Sequence, residues 1–468
     1  MKFVRRCWQG VLLTAALGGA TTARADQAPG ARAVSLHEAL GYARAHQPSV
    51  RAALARIAAA QAAADVPRAQ WLPQIGATAQ IFLGSYNNTT ASNVGSPYVD
   101  IPRIGGSSVV NASTSSFQPF GSTFAAVGIG QEVFDFGRIA AQSAAADALV
   151  EATKHGSDAT RLDVELGVEE SFYAVLTAKE VLKASEEAYA RALVHRDQAR
   201  AGVTAQLRPP IELTRAEAEL ALFDIGRIHA RGGVTASQAV LAASTGVDDL
   251  TLDANGTLPG AGDVPTLSLA LEQASARDPR VAEAVAKVRA QEARTKAIYA
   301  QLRPDLSATA TFSGRAGGAT PSSGAANSAD YYGWLPTVPN WDVGLVFSWP
   351  IYDGTVVARA HASDAEAQAL REEVSALKQV LTAKVQQAYI GVQVARDAIA
   401  GLQRQLDAAV ANYAQADARY GAGLGTAVEL ADAEALRAHA EIEMARGKFE
   451  LARARAALGR AIAEGLSK

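Results

Sequence analysis

The sequence predicts an α+β membrane protein that is built from an internal duplication, with four short strands and several very long helices. Residues 36–83 lie over residues 267–314 without a gap, and the same order of elements follows in both halves. Two helical stretches without proline run for about 65 residues each, far beyond ordinary globular helices. Four segments of about ten residues alternate apolar with small polar side chains, as half-exposed strands do.

The composition favours closely packed helices and argues against a nucleic-acid partner. The chain has 468 residues and is 49% hydrophobic but only 6% aromatic, because alanine supplies most of the apolar count. Alanine is the best helix former, and its small side chain lets helices approach closely. The net charge is -3 and no basic stripe is present, so no surface suits nucleic acid.

The first 25 residues have the pattern of a secretory signal peptide. Basic residues precede a short apolar run at 11–17, and small residues lead to "ARA" at 23–25. The single cysteine, Cys7, lies inside this segment, so we expect no acceptor for a lipid anchor after cleavage. No later stretch reaches the roughly 18 apolar residues of a transmembrane helix.

Both repeats contain the same elements in the same order. The first repeat, 26–250, is predicted to contain a helix at 35–69, strands at about 74–84 and 123–134, a long helix at 138–201 and a helix at 211–245. The second repeat, 268–468, is predicted to contain a helix at 268–300, strands at about 305–314 and 341–352, a long helix at 356–420 and a helix at 428–463. The linker at 246–267 is rich in Gly, Pro, Asp and Asn and is expected to be irregular.

Short motifs mark the junctions of the two repeats. The first helix of each half ends near a proline, Pro73 or Pro304, after which the alternation begins. The strand-to-helix turn "VFDFGR" at 133–138 corresponds to "IYDGTV" at 351–356. The helical segment "IELTRAEAEL" at 211–220 corresponds to "VELADAEALR" at 428–437.

The strands are predicted to face lipid on one side and water on the other. In the last strand, the apolar side chains share one face: Trp341, Val343, Leu345, Phe347, Trp349 and Ile351. Trp341 and Trp349 lie near the strand ends, where membrane barrels carry aromatic girdles. Four strands cannot close a barrel, and an open edge in hydrocarbon is costly. Association is therefore required, with two or three copies as the alternatives, and the polar loops at 85–122 and 315–340 would lie outside the cell.

No enzymatic site is recognisable. The seven histidines are scattered without metal-ligand spacing, and no phosphate-binding loop or nucleophile elbow is present. The G-x-G-x-G run at 421–425 follows a helix rather than a strand, which argues against a dinucleotide site. We expect no enzyme activity, cofactor or metal. The alternatives to a membrane duct are an exported periplasmic helical structural or adaptor protein and a secreted enzyme with a helical accessory domain.

Together, the duplicated helix–proline–strand passage, the two strand-to-helix turns and "RYGAGLGTAVELADAEAL" at 419–436 resemble TolC-like outer-membrane efflux proteins. The resemblance implies a homotrimer with a 12-stranded β-barrel in the outer membrane, continuous with a 12-helix periplasmic α-barrel. It implies a passive exit duct of a tripartite efflux or type I secretion system, with the linker in an equatorial region. The implied partners are outer-membrane lipid, a periplasmic adaptor (membrane fusion) protein, and an inner-membrane RND pump or ABC exporter.

The resemblance also assigns residues to the periplasmic end of the duct. Adaptor-docking hairpin tips fall at the glycines Gly202, Gly421, Gly423 and Gly425. Glu429 and Asp432 match acidic positions that narrow the pore, although acids are also favourable at any helix N-terminus.

A hydrogen-bonded gate is the last expectation from the resemblance. Tyr420 matches a tyrosine that holds the aperture closed, with Glu212 as its partner. A basic member of this network falls on Gly425, which has no charge, so Arg215, one turn from Glu212, is the expected substitute. The first tip is expected to be about four residues longer than the second.

Overall fold

The computed structural model describes residues 32–85, 119–247, 252–260, 262–317 and 338–464. The described helices are α1 (Leu36–His46), α2 (Pro48–Ala69), α3 (Arg138–Thr204), α4 (Pro210–Thr245), α5 (Leu267–Arg277), α6 (Pro279–Tyr299), α7 (Gly354–Gly421) and α8 (Ala427–Ala461). The described strands are β1 (Arg32–Val34), β2 (Gln74–Ser85), β3 (Pro119–Phe134), β4 (Leu252–Ala254), β5 (Asp305–Gly317) and β6 (Val338–Ser348). The predicted signal peptide and most of the two polar loops lie outside the described residues.

The two long helices dominate the molecule. Helix α3 has 67 residues and α7 has 68, so each extends for about 100 Å at 1.5 Å per residue. An aspartate in the corresponding strand-to-helix turn precedes each of them: Asp353 is the N-cap of α7, and Asp135 lies two residues before Gly137, the N-cap of α3. Asp135 accepts hydrogen bonds from the backbone N–H groups of Gly137 and Ile139, and Asp353 accepts them from Thr355 and Val356. The turn motif of the sequence is therefore a helix cap that both repeats use.

The helices expected at 35–69 and 268–300 are each broken in two, which corrects the prediction of single helices. Pro48 and Pro279 each occupy the first turn of a new helix, where the missing N–H is harmless. The residues before them, Gln47 and Asp278, are non-helical, with ψ angles of 123° and 118°. A residue before proline disfavours helical geometry, so the sequence already contained the reason for the break.

The strands from both repeats form one antiparallel sheet in the order β2-β3-β5-β6. Pairing of β3 with β5 joins the two repeats, with Val127 opposite Phe312. The last strand ends at Ser348, so the prediction of a strand to residue 352 was too long, and Trp349 follows the strand.

One face of this sheet is apolar and exposed, as the alternation predicted. The exposed side chains of this face are Ile75, Ile81, Val127, Ile129, Phe312, Trp341, Val343, Leu345 and Phe347. The opposite face has Thr309 and Thr311, which are buried. Because successive side chains of a strand point to opposite faces, the alternation in the sequence gives the sheet one exposed apolar face and one face with buried threonines.

The linker contains more structure than expected. Strand β4 pairs in parallel with β1, so Val34 lies opposite Ala254. The N-terminal strand and the linker are thereby packed against the middle of α3, where Phe172 and Val175 are buried beside Leu252. A second core joins α5, α7 and α8 through residues such as Val385 and Leu451.

Candidate functional site

The two hairpins, α3–α4 and α7–α8, end in tips of equal length. The tips comprise residues 205–209 and 422–426. Each turns through one left-handed residue, Gln206 with φ 56° and Gly423 with φ 74°. The expectation that the first tip is longer was wrong, because both helices close with the same backbone pattern.

That pattern is a Schellman motif with a leucine after the left-handed residue. The N–H of Leu207 donates to the carbonyl of Gly202 at 2.9 Å, and the N–H of Leu424 donates to that of Arg419 at 2.8 Å. Both leucines are exposed at the ends of the hairpins, at 82% and 76%. The equivalent tips thus present equivalent apolar side chains.

Glycine and arginine exchange places between the two tips. The first hairpin has Gly202 in the last turn of α3 and Arg208 in the tip. The second hairpin has Arg419 and Gly425 at the equivalent positions. A Cβ at residue 202 would lie 2.9 Å from Cδ of Arg208, so glycine lets this arginine fold back across the end of α3. Arg208 is therefore the structural counterpart of Gly425, the position at which the sequence lacked a cation.

Arg208 joins the two tips at Tyr420. Its Nη2 donates to the carbonyl oxygen of Tyr420 at 2.8 Å, and its guanidinium carbon lies 3.7 Å from the centre of the Tyr420 ring. Its Nη1 donates to Oε2 of Glu212 at 2.9 Å. The hydroxyl of Tyr420 donates to the same oxygen at 3.4 Å. We refer to Arg208, Glu212 and Tyr420 as the aperture junction.

The aperture junction is largely shielded from water. Tyr420 is 3% exposed, and burial raises the pKa of its hydroxyl, which therefore stays protonated and able to donate. A cation over an aromatic face and a charge-assisted hydrogen bond are both strengthened by such shielding.

Arg215 does not have the role expected of it. No hydrogen bond or ion pair joins it to Glu212 within the part of the chain that the structure describes; Arg208 makes that contact instead. The sequence did not point to Arg208 because the first tip was expected to be about four residues longer than the second. With that expectation, Arg208 does not align with Gly425. Aligning "QLRPP" at 206–210 with "GLGTA" at 423–427 would have revealed it.

The predicted pore acids lie exposed on the first turns of α8. The N–H of Glu429 donates to the hydroxyl of Thr426 at 3.2 Å, and Oε2 of Glu429 lies 3.9 Å from Nη2 of Arg419. Asp432 is exposed one turn further along α8. Two carboxylates thus lie next to the tip, and among the described residues neither forms a short ion pair with the other hairpin.

The predicted interface tryptophans are both exposed, Trp341 at 73% and Trp349 at 55%. They lie near the two ends of β6, about 26 Å apart along an extended strand.

Within the described ranges, no three or more His, Cys, Asp or Glu side chains are placed to hold a metal ion. The described helices include none with the length and hydropathy of a membrane span.

A family model described as "Outer membrane efflux protein" matches residues 39–247 and 270–464. The chain belongs to the outer membrane efflux protein family. The two matched segments correspond to the two repeats, in agreement with an internal duplication. The resemblance to TolC-like proteins is thereby confirmed, and this efflux protein is a transport protein rather than an enzyme.

Solved structures of outer-membrane channels share the fold of this efflux protein. The outer-membrane channel OprN aligns with a TM-score of 0.69 and 20% identity, over 92% of this chain and 90% of that one. CmeC of Campylobacter jejuni aligns with a TM-score of 0.69 and 15% identity, over 91% and 85% of the two chains. The open state of MtrE of Neisseria gonorrhoeae gives 0.68 and 20%, over 92% and 89%. A comparison with curated protein sequences gives no significant match.

The family settles the function at a coarse level. The protein is an outer-membrane efflux channel of the kind that works in tripartite efflux pumps, and channels of this family are trimeric. The alternatives of a periplasmic structural rod and of a secreted enzyme are therefore set aside.

Proposed function

We propose that three copies of this efflux channel form one passive exit duct from the periplasm through the outer membrane. Three four-stranded sheets supply the twelve strands of a closed barrel, and the helices continue the barrel into the periplasm. The exposed apolar face supports this assembly, because a single sheet would leave the edges of β2 and β6 unpaired in lipid, at several kcal/mol per backbone group.

The aperture junction is the closing element of this duct. Arg208 and Glu212 belong to the first hairpin and Tyr420 to the second, so separation of the tips breaks the contacts of Tyr420 with Arg208 and with Glu212. This single observation carries the proposal that the periplasmic end is an iris, closed at rest. Glu429 and Asp432, repeated in three copies, surround its entrance with carboxylates that favour cations.

The tips are also the proposed docking point for the rest of the pump. Leu207 and Leu424 project from equivalent positions beside the glycines Gly202, Gly421, Gly423 and Gly425. Apolar side chains on a narrow exposed tip suit the apolar face of a partner helix. The proposed partners are a periplasmic adaptor (membrane fusion) protein and an inner-membrane RND pump or ABC exporter.

Substitutions in the aperture junction are expected to open the channel. In planar bilayers, Tyr420→Phe combined with Glu212→Ala, and separately Arg208→Ala, should raise the open probability by about tenfold, because each loses contacts of roughly 1–2 kcal/mol. Single-channel recording measures this directly.

Arg200→Ala is the matched control. Arg200 lies on α3 above the same tip, and pairs with Glu217 at 3.3 Å on an exposed surface, where such pairs contribute little. An unchanged open probability in both junction variants would exclude the proposed closing element.

A further inference from the structure

A layer of charged side chains with a buried centre joins the two hairpins above their tips. Its members come from four helices: Glu187, Arg191 and His195 of α3, Arg215 and Glu219 of α4, Tyr413 and Asp417 of α7, and Asp432, Glu434, Arg437 and Glu441 of α8. We call this set the charged layer. On α7, Tyr413 precedes Tyr420 by two helical turns, which is about 10 Å along the helix.

The centre of the charged layer is an ion pair between α3 and α8. Glu434 is fully buried, and its Oε1 accepts a hydrogen bond from Nε of Arg191 at 2.8 Å. Nη2 of Arg191 donates to Oε2 of Glu441 at 3.2 Å. The other oxygen of Glu434, Oε2, has no donor among the described residues, so Arg191 supplies the hydrogen bond to this buried carboxylate and the charge of Arg437 adds to its effect.

A second contact of the charged layer joins α3 to α7. Nε2 of His195 and the hydroxyl of Tyr413 share a hydrogen bond of 3.0 Å, with Oδ1 of Asp417 3.8 Å from the same nitrogen. The guanidinium of Arg437 lies 4.9 Å from the centre of the Tyr413 ring and donates to Glu441. Both helices of the second hairpin are therefore held to α3.

We propose that Arg191 and Glu434 form a second latch, which holds the two hairpins together and must break when the aperture opens. The inference rests on the proposed function of the tips. Separation of α3 from α8 breaks the charge-assisted hydrogen bond between Arg191 and Glu434, and a partial separation that keeps Glu434 away from water leaves its charge unpaired, which is strongly unfavourable. Both act on the aperture through the two hairpins whose tips meet in the aperture junction, so they are positioning residues.

The charged layer also makes the latch sensitive to protons. The layer contains more carboxylates than arginines, and two of these carboxylates, Glu434 and Asp432, act on Glu219. Burial raises the pKa of Glu219 to about 7; the charges of Glu434 and Asp432 add to the rise and that of Arg215 opposes it. Burial also raises the pKa of Glu434, against the effect of Arg191.

The sign of this linkage favours closure in mild acid. A carboxyl whose pKa is raised in the packed state stabilises packing fully below its ordinary value of 4.5, and this stabilisation is lost as the pH rises through about 7. His195 acts in the opposite direction, because burial lowers its pKa below the ordinary 6.5. Its protonation at lower pH therefore weakens the layer.

The test of the latch is the Glu434→Gln variant of the full-length channel in planar bilayers. The amide keeps the size of the side chain but removes the charge that pairs with Arg191, so the open probability should rise about fivefold at pH 7. Glu217→Gln is the control, since Glu217 is an exposed carboxylate on α4. Sedimentation in detergent establishes that each variant assembles.

The pH profile separates a latch from a merely structural pair. Wild-type open probability should rise as the pH increases from 6.5 to 8.5, and Glu219→Gln should abolish most of this rise while the control retains it. If Glu434→Gln fails to assemble, the profile of Glu219→Gln alone decides.

An unchanged open probability in assembled Glu434→Gln, or a wild-type pH profile in Glu219→Gln, overturns the second latch. Arg208→Ala is recorded in parallel to separate the two proposals. If Arg208→Ala opens the channel and Glu434→Gln does not, the second latch fails and the aperture stands. If the wild-type protein conducts no ions under any condition, the proposed duct itself fails.

Discussion

Single residues determine how the tips of this efflux channel meet. Arg208 contacts the ring and the carbonyl of Tyr420 and pairs with Glu212, all from a position that is glycine in the second tip. Gly202 makes the room for it, as Gly425 does for Arg419. The arginine can therefore occupy different positions in the two copies of the duplicated hairpin, while both turns have the same backbone conformation.

The charge at the tip is expected to set ion preference. Glu429→Gln combined with Asp432→Asn should lower the cation-over-anion permeability ratio by about fivefold, because a unit charge a few ångströms from an ion in water contributes about 1 kcal/mol. The reversal potential in a KCl gradient measures the ratio. Glu450→Gln, about 30 Å further along α8, should leave it unchanged. Equal ratios in the wild type and the double variant would contradict a carboxylate ring.

At the scale of elements, each repeat uses the same devices at corresponding places. An aspartate side chain accepts a hydrogen bond from the first turn of each long helix, a proline starts the second helix of each short pair, and a Schellman motif closes each hairpin. The turn geometry is conserved between the repeats even though Gln206 occupies a left-handed position that glycine adopts more readily.

The side chain of Asp135 is expected to stabilise the start of α3. Asp135 is buried, and Asp135→Ala leaves the backbone N–H groups of Gly137, the N-cap of α3, and of Ile139, in its first turn, without their acceptor, which should cost about 1–2 kcal/mol. Thermal unfolding in detergent, followed by circular dichroism, should show a lower midpoint. Asp364→Ala, at an exposed position within α7, should leave the midpoint within error of the wild type. A loss of equal size in both variants would argue against a capping role.

At the scale of the whole molecule, the exposed apolar face of the sheet needs lipid, and its two edges need other strands. Both needs are met when three sheets close around a common axis and the helices continue the wall. Within one chain the hairpins are tied together twice, at the aperture junction and in the charged layer. In the gating that we propose, opening is a movement of one hairpin relative to the other.

Trp341 and Trp349 should report the position of the membrane. In variants that retain only one of these tryptophans, the fluorescence of each should be quenched by lipids brominated near the head group more than by lipids brominated near the chain end. The reason is that both lie near the strand ends, where aromatic side chains occupy the interface. Fluorescence insensitive to brominated lipid would place the sheet outside the bilayer.

The sequence by itself determined the duplication, the two long helices, the alternating strands and the positions of the tips. Each of these depends on a period or a punctuating residue that is local in the chain: alanine-rich runs without proline, an alternation of two, and glycine at a turn. Even the breaks at Pro48 and Pro279 were readable from the residue that precedes each proline.

Only the tertiary structure decided which arginine reaches Tyr420, which strands pair between the repeats, and which charges are buried between the hairpins. These contacts join residues that are far apart in sequence, such as Arg208 with Tyr420 and Arg191 with Glu434. Spacing along one helix places a side chain on a face, but the partner of that face depends on how the helices pack. For that reason Arg215 was the expected partner of Glu212, and Arg208 is the one in contact.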